Sequence, residues 1–314
     1  MEQTQKNAFL TYYNAARNPL THKGDYGRVF IVAGSEGMTG AAMLCAESAL
    51  RAGAGLVYLF APGKLLPIYE IGCREAVKIK VGGDGEPCFR QTHVRQIAET
   101  ITSVSGQTAA VIGPGLGRDP QTRLFVRGLM EALSGTGVPV VLDADGLHAF
   151  NGQPERLAYF NSDGRARLVL TPHEAELSRL MGMDIADIDR NRPEAAVKAA
   201  ALTGAVTVLK GSGTIIADML STQESLCEIN PSGNPGMATG GSGDVLAGIL
   251  AGILASDQKL GRQGVSDRQF YDLVRCGVYI HGLCGDLAAE KYGQRAMKAG
   301  DLIEMLKEVH LYGT

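Results

Sequence analysis

Apolar positions along the chain fall into short unbroken runs, and these alternate with longer stretches in which they recur every three to four residues. Arg28-Val29-Phe30-Ile31-Val32-Ala33 is nearly continuous in apolar side chains, as a strand covered on both faces must be. It runs into the turn Gly34-Ser35-Glu36-Gly37. From Met38 or Thr39 the pattern becomes helical, carrying Ala41, Met43, Leu44, Ala46 and Leu50, and it stops at Gly53-Ala54-Gly55. Further strand-like runs cover 56–60, 109–113, 138–143, 168–171 and 206–210, with helical patterns over 120–134, 173–182 and 193–203. Strand and helix in alternation predict a mainly parallel sheet with helices on both faces.

The rhythm changes after Lys210. Residues 214–217 and 225–229 are close enough to pair as an antiparallel hairpin at the sheet edge, and 243–255, 267–291 and 300–309 are helical in period. No linker, repeat or low-complexity tract divides the chain, so a single α/β domain over residues 1–314 is expected.

Composition narrows the class of function. With 45% hydrophobic and 20% charged residues, and 30 Lys+Arg against 33 Asp+Glu, the chain resembles neither a disordered segment nor a nucleic-acid binder. It has no Trp and only 6% aromatic residues, which argues against a surface that stacks single-stranded bases. The six Cys form no C-x-x-C or zinc spacing and read as reduced thiols of a cytoplasmic protein. No basic and apolar leader opens the sequence. The longest uncharged apolar stretch, Val245 to Ala255, falls well short of the roughly 20 residues that a bilayer span takes. The 41 Gly are about twice the usual share; they punctuate particular turns, which points to small-ligand chemistry on glycine loops.

The most informative stretch is Asn234-Pro235-Gly236-Met237-Ala238-Thr239-Gly240-Gly241-Ser242-Gly243-Asp244, leading into the apolar helix from Val245. Glycines ahead of a helix let backbone N–H groups converge, and the helix start adds partial positive charge, so the run suits a phosphate. A polyphosphate repels an acid at the mouth of such a site unless the acid has a task. Removing a proton from a hydroxyl that attacks phosphorus is such a task for Asp244. On spacing alone, Asp244 is equally a first-turn carboxylate stabilised by the helix dipole. The metal patterns H-E-x-x-H and D-x-D-x-D-G, the G-x-S-x-G elbow and the Walker P-loop are all missing from the sequence, so any phosphoryl chemistry uses a different nucleotide fold.

Other strand ends carry candidates with two readings each. Lys210-Gly211-Ser212-Gly213-Thr214 is either a plain hairpin with a solvated lysine or a turn whose lysine neutralises a phosphate while its backbone approaches a ribose or base. Gly113-Pro114-Gly115-Leu116-Gly117 is either a tight turn or ligand-contacting backbone at the usual position in an open α/β sheet. In Thr171-Pro172-His173-Glu174-Ala175-Glu176 a His and two acids face the crevice, or belong to the first turn of the next helix. Asp143 and Asp145 stay equally open, and His281 reads as helix-interior packing.

Taken in order, these segments resemble the ADP-dependent NAD(P)H-hydrate dehydratases, a branch of the ribokinase-like superfamily. The likeness runs from about His22 to Leu306 and rests on six motifs: His22 to Gly27, Gly37 to Ala42, Gly113 to Gly117, Leu142 to Leu147, Thr171 to Glu176 and Asn234 to Asp244. It implies a three-layer α/β/α sandwich. It also implies a lyase that restores NADH or NADPH from the S epimer of the hydrated nicotinamide, consuming ADP (ATP in eukaryotic relatives) and giving AMP and phosphate. By the same likeness Asp244 is the catalytic base and also contacts the substrate, and Gly240, Gly241, Ser242 and Gly243 form the anion hole. Lys210, Gly211, Ser212, Gly213 and Thr214 line the adenine nucleotide, while Ala41, Gly115 and His173 contact the hydrated dinucleotide. Ribokinases carry Asn-x-x-Glu, linked to magnesium, where this chain has His173 and Glu176; Glu176 is therefore the candidate metal residue for Mg2+.

The resemblance further implies a cytoplasmic homotetramer without nucleic-acid or membrane partners. Only some 20 residues precede His22, so the epimerase often fused ahead of this domain is expected as a separate chain. The competing readings are a vitamin-precursor kinase of the same fold and a nucleotide-binding module without turnover. Many such kinases have Cys at the position of Asp244 and lack the Asn-Pro-Gly-Met-Ala-Thr run.

Overall fold

In the computed structural model, which describes residues 9, 10, 13–104, 106–161, 167–220, 222, 224–257 and 266–312, the apolar runs form one nine-stranded sheet. Its strands are β1 (Arg28–Val32), β2 (Leu56–Pro62), β3 (Val77–Val81), β4 (Thr108–Ile112), β5 (Val140–Leu142), β6 (Leu168–Leu170), β7 (Val206–Leu209), β8 (Ile215–Met219) and β9 (Ser225–Ile229). The order across the sheet is β3-β2-β1-β4-β5-β6-β7-β8-β9. Strands β3 through β7 are parallel, and β8 and β9 close the edge as the expected antiparallel pair.

The helices of seven residues or more are α1 (Thr39–Arg51), α2 (Leu66–Gly72), α3 (Val94–Thr102), α4 (Pro120–Leu133), α5 (Glu174–Met181), α6 (Arg192–Thr203), α7 (Ser242–Ser256), α8 (Asp267–Tyr292) and α9 (Ala299–Met305). Successive side chains of a strand point to opposite faces, and both faces here are apolar. Val29 and Ile31 of β1 join a core built with α1, α7, α8 and α9, while Phe30 and Val32 join a second core with α3 and α4. A third cluster packs α5 and α6 against β7 and β8. This is the three-layer sandwich, with β1 and its neighbours buried on both sides.

The structure adds one strand and two of these helices, β3, α2 and α3, to the elements expected from the apolar runs, and shortens another. Strand β3 reads Val77-Lys78-Ile79-Lys80-Val81, and its lysines suit an edge strand paired on one side only. Helix α3 buries a single stripe of Ile97, Ala98 and Ile101. The helix expected over 300–309 ends at Met305, where the bond from Leu306 N–H to Ile303 O tightens the last turn.

Two features of this architecture place the site. Strand order reverses between β1 and β4, and open α/β sheets bind ligands outside the strand C-termini at such a reversal. Helix α7 lies unusually close to α1: a Cβ at Gly248 would come within 2.0 Å of Ser48 Oγ and 2.3 Å of the Cys45 carbonyl oxygen. Only glycine permits that approach, and it brings the start of α7 over the crevice.

Candidate active site

The turn after β4 is tied to the turn after β1. Gly34 N–H donates to Pro114 O at 2.8 Å, and Ser35 Oγ donates to Gly115 O at 2.8 Å. Ala41, in the first turn of α1, then touches Gly115; a Cβ at Gly115 would sit 3.0 Å from Ala41 Cβ. Two expected substrate contacts, 74 residues apart in sequence by subtraction of their numbers, thus meet at the reversal point.

The neighbouring strand ends bring side chains. Asp143, fully buried beyond β5, accepts from Thr171 Oγ1 at 2.7 Å and lies 2.8 Å from Lys210 Nζ. The next residue, Ala144, has φ 49° and ψ −114°, and it alone among the described non-glycine residues has a positive φ. Such strain persists where surrounding structure enforces it and clusters at functional sites. Here it turns the chain sharply between Asp143 and Asp145.

His173 caps α5. Its Nδ1 accepts from Ala175 N–H at 3.2 Å, and Glu176 Oε2 accepts the His173 N–H at 2.9 Å, a reciprocal capping box. The helix-cap reading of this motif holds, and the His173 side chain stays half exposed. Lys210 N–H donates to Pro172 O at 2.8 Å, which sets the ends of β6 and β7 side by side.

The Lys210 side chain departs from a solvated lysine. Its ammonium turns inward to Asp143 and lies 3.6 Å from Glu176 Oε2. Burial pulls its pKa down, but Asp143, Glu176 and Asp244 together hold it above the ordinary lysine value. The backbone of the 210–214 turn is braced from behind by Arg192, whose guanidinium donates to Ser212 O at 2.6 Å and Lys210 O at 3.1 Å. Glu174 Oε1 forms an ion pair with that guanidinium, 3.1 Å from Nε.

Asp244 occupies the third position of α7, directly after Gly240 to Gly243. Gly241 adopts φ +91°, a conformation that side chains disfavour, and so turns the loop into the helix start. Lys210 Nζ lies against Gly243, 3.3 Å from where a Cβ would stand. Burial, and then the charge of Asp143, push the Asp244 carboxyl up to about 7, with Lys210 pulling the other way. A carboxyl poised near neutral pH is suited to proton transfer.

Residues that carry no motif hold this loop. Asp286 on α8 accepts from Gly233 N–H and Asn234 Nδ2, both at 2.9 Å. His281 does more than pack: its Nε2 bonds the Ser242 carbonyl at 3.0 Å. Burial pushes its pKa down to about 4, so the ring is neutral at pH 7. Nothing in the sequence marks Asp286 or Arg192, because each acts across a contact that only the fold creates; Glu174 stands in the Thr171–Glu176 motif, but its pairing with Arg192 is set by the fold.

Glu176 does not fit a direct metal ligand in this arrangement. One oxygen serves the helix cap, the other lies 3.5 Å from the His173 ring, and the Lys210 ammonium already neutralises the group. Among the described residues no three His, Cys, Asp or Glu side chains are grouped to hold an ion.

Known proteins resemble this chain over most of its length. The family model described as NAD(P)H-hydrate dehydratase matches residues 29–308. A bifunctional NAD(P)H-hydrate repair enzyme of Moorella thermoacetica is 40% identical over 93% of this chain and 51% of its own length. The chain spans about half the length of such bifunctional relatives. The ADP-dependent (S)-NAD(P)H-hydrate dehydratase of Neisseria meningitidis serogroup B is 32% identical over 91% of this chain and 86% of its own. The ADP/ATP-dependent NAD(P)H-hydrate dehydratase of Bacillus subtilis, co-crystallised with ATP/Mg2+, superposes with a TM-score of 0.74 at 28% identity, covering 98% of this chain and 97% of that one. With this match over most of its length, the chain belongs to the NAD(P)H-hydrate dehydratase family.

Proposed function

We propose that the protein dehydrates the S epimer of hydrated NADH or NADPH to the reduced dinucleotide, using ADP or ATP as phosphoryl donor. The observation that carries this reading is the Asp244 carboxyl, pushed up to about 7 at a glycine-built helix start. Asp244 takes the proton of the hydrate's ring hydroxyl. The freed oxygen attacks the terminal phosphorus of the nucleotide, and the bond to the leaving AMP (or ADP) breaks. Phosphate then departs with the former hydroxyl oxygen, the adjacent ring carbon gives up a proton, and the ring double bond is restored.

The other residues hold this reaction in place. Backbone N–H groups of Gly240 to Gly243 face the transferring phosphoryl, where fixed donors act most strongly in a water-poor site. Ala41, Gly115 and His173 contact the hydrated dinucleotide, and the turn from Lys210 to Thr214 lines the adenine nucleotide. Magnesium, when bound with the nucleotide, would supply charge neutralisation on its phosphates; Glu176 caps α5 and is a counter-ion of Lys210. The same proposal includes a homotetramer working in the cytoplasm with a functional link to an epimerase of the hydrated dinucleotide. Among the described residues, no helix is long and apolar enough to cross a membrane.

The test mixes chemically hydrated NADH with the protein, magnesium and either ADP or ATP, and follows absorbance at the reduced-nicotinamide band. Nucleotide-dependent recovery with release of phosphate is expected. A phosphorylated product that accumulates without recovery would instead indicate a kinase of the same fold. Arg192→Ala, which loosens the 210–214 turn without touching Asp244, is expected to raise the KM for ADP about 10–100-fold, the loss of roughly one charge-assisted hydrogen bond, with a much smaller change in kcat.

A further inference from the structure

The dehydratase reading leaves Arg118 without a task. It directly follows the Gly113–Gly117 turn and so stands at the rim of the crevice, beside the contact between Ala41 and Gly115. Asp145 holds it there: Asp145 Oδ2 accepts the Gly117 N–H at 2.9 Å, and Oδ1 accepts the Arg118 Nε–H at 3.0 Å. The pair is lopsided, with the Asp145 side chain 10% exposed and that of Arg118 62% exposed. The carboxylate belongs to the wall of the site and the guanidinium projects from it.

A bond through Nε fixes the guanidinium plane and leaves its outer edge free. Among the described residues neither terminal nitrogen of Arg118 has a hydrogen-bond partner. An ion pair this exposed contributes little to folding, whereas an oriented fork with two free donors matches two oxygens of a phosphate. Two further arginines, Arg123 and Arg179, act with Arg118 on the nearby His148 ring. Burial keeps the nearby His148 ring below its usual pKa, the charges of Arg118 and Arg123 add to that effect, Asp145 opposes it, and Arg179 contributes in the same sense as the other arginines.

We propose that Arg118 binds a phosphate group of the hydrated dinucleotide, an inference that rests on the dehydratase reading. Two groups in that ligand class share the required chemistry: the pyrophosphate bridge, common to hydrated NADH and hydrated NADPH, and the 2′-phosphate of hydrated NADPH alone.

The test compares the unaltered protein with Arg118→Ala in the absorbance assay, using each hydrated dinucleotide at saturating ADP. Arg95→Ala, which breaks an exposed helix-surface pair with Glu99, is the control. Arg118→Ala is expected to raise the dinucleotide KM about 10-fold, as loss of one charged phosphate contact does, with little change in the KM for ADP. An equal rise for both substrates places the pyrophosphate at Arg118, and a rise for hydrated NADPH alone places the 2′-phosphate there. Dinucleotide KM values within twofold of the unaltered protein, or an effect on ADP instead, would overturn the proposal. Titration of intact NADPH by its fluorescence separates this failure from that of the parent reading. If the unaltered protein binds NADPH but does not turn over the hydrate, the dehydratase reading fails, and a roughly 10-fold weaker Kd in Arg118→Ala still supports the phosphate contact. If the two proteins bind NADPH equally, or neither binds, the phosphate contact fails.

Discussion

Asp244→Asn is expected to lower kcat by about 10²–10⁴-fold, the usual contribution of a positioned general base, and at the same time to make the fold more stable at pH 8. Both effects have one cause. Burial and the neighbouring Asp143 push the Asp244 carboxyl from 3.8 up to about 7, so the native state resists the negative charge that the chemistry needs. A carboxyl raised on folding stabilises the native state below its unfolded value, and that stability is lost as pH rises through the folded value. The unaltered protein should therefore lose stability relative to Asp244→Asn between about pH 4 and pH 7, with a constant difference above. Allowing for the contact of this partly buried group with water, the difference is on the order of 2 kcal/mol, seen as a Tm a few degrees higher in the Asn variant.

The activity of the unaltered protein should change in the opposite sense. kcat/KM is expected to rise with pH as Asp244 ionises and to level off above about pH 7. Thermal melts and pH–rate profiles on the same two proteins check both halves. Equal Tm values at pH 5 and pH 8, or a rate profile flat from pH 5 to pH 8, would remove Asp244 from the role of base.

The parts of this molecule that sequence reveals are those in which one local segment carries the whole signal. Strand β1 is legible because Val29 to Ala33 must be apolar on both faces, and the site at α7 because its glycines and its acid are neighbours in the chain. Strand β3 is hidden by its own lysines, since an edge strand needs no continuous apolar run. Asp143 and Lys210 are 67 residues apart, and each alone reads as an ordinary charged residue at the end of a strand. Their pairing follows from the β5-β6-β7 order, with the Thr171 hydroxyl also donating to Asp143, which no local pattern encodes. Arg192 behind the 210–214 turn and Asp286 behind Asn234 are invisible for the same reason.

The second large effect belongs to that hidden pair. Lys210→Met keeps the length and most of the apolar volume of the side chain but removes the only cation that the described residues place against Asp143. Asp143 is fully buried, and the Thr171 hydroxyl alone would then face its charge. Removing one partner of a buried pair typically costs about 3–5 kcal/mol, because the remaining charge stays desolvated. Replacing both partners by neutral groups costs far less. The double variant Lys210→Met/Asp143→Asn is therefore expected to recover most of the stability lost in Lys210→Met, giving a coupling energy of about 2 kcal/mol or more in a double-mutant cycle. Activity should not recover with it, since the ammonium also lies against Gly243 in the anion loop and counters the upward shift of Asp244. Denaturant melts and kcat on the four proteins of the cycle separate the two roles. Additive melts would show that Asp143 and Lys210 do not act as a pair. Full recovery of kcat in the double variant would show that the ammonium serves the fold alone.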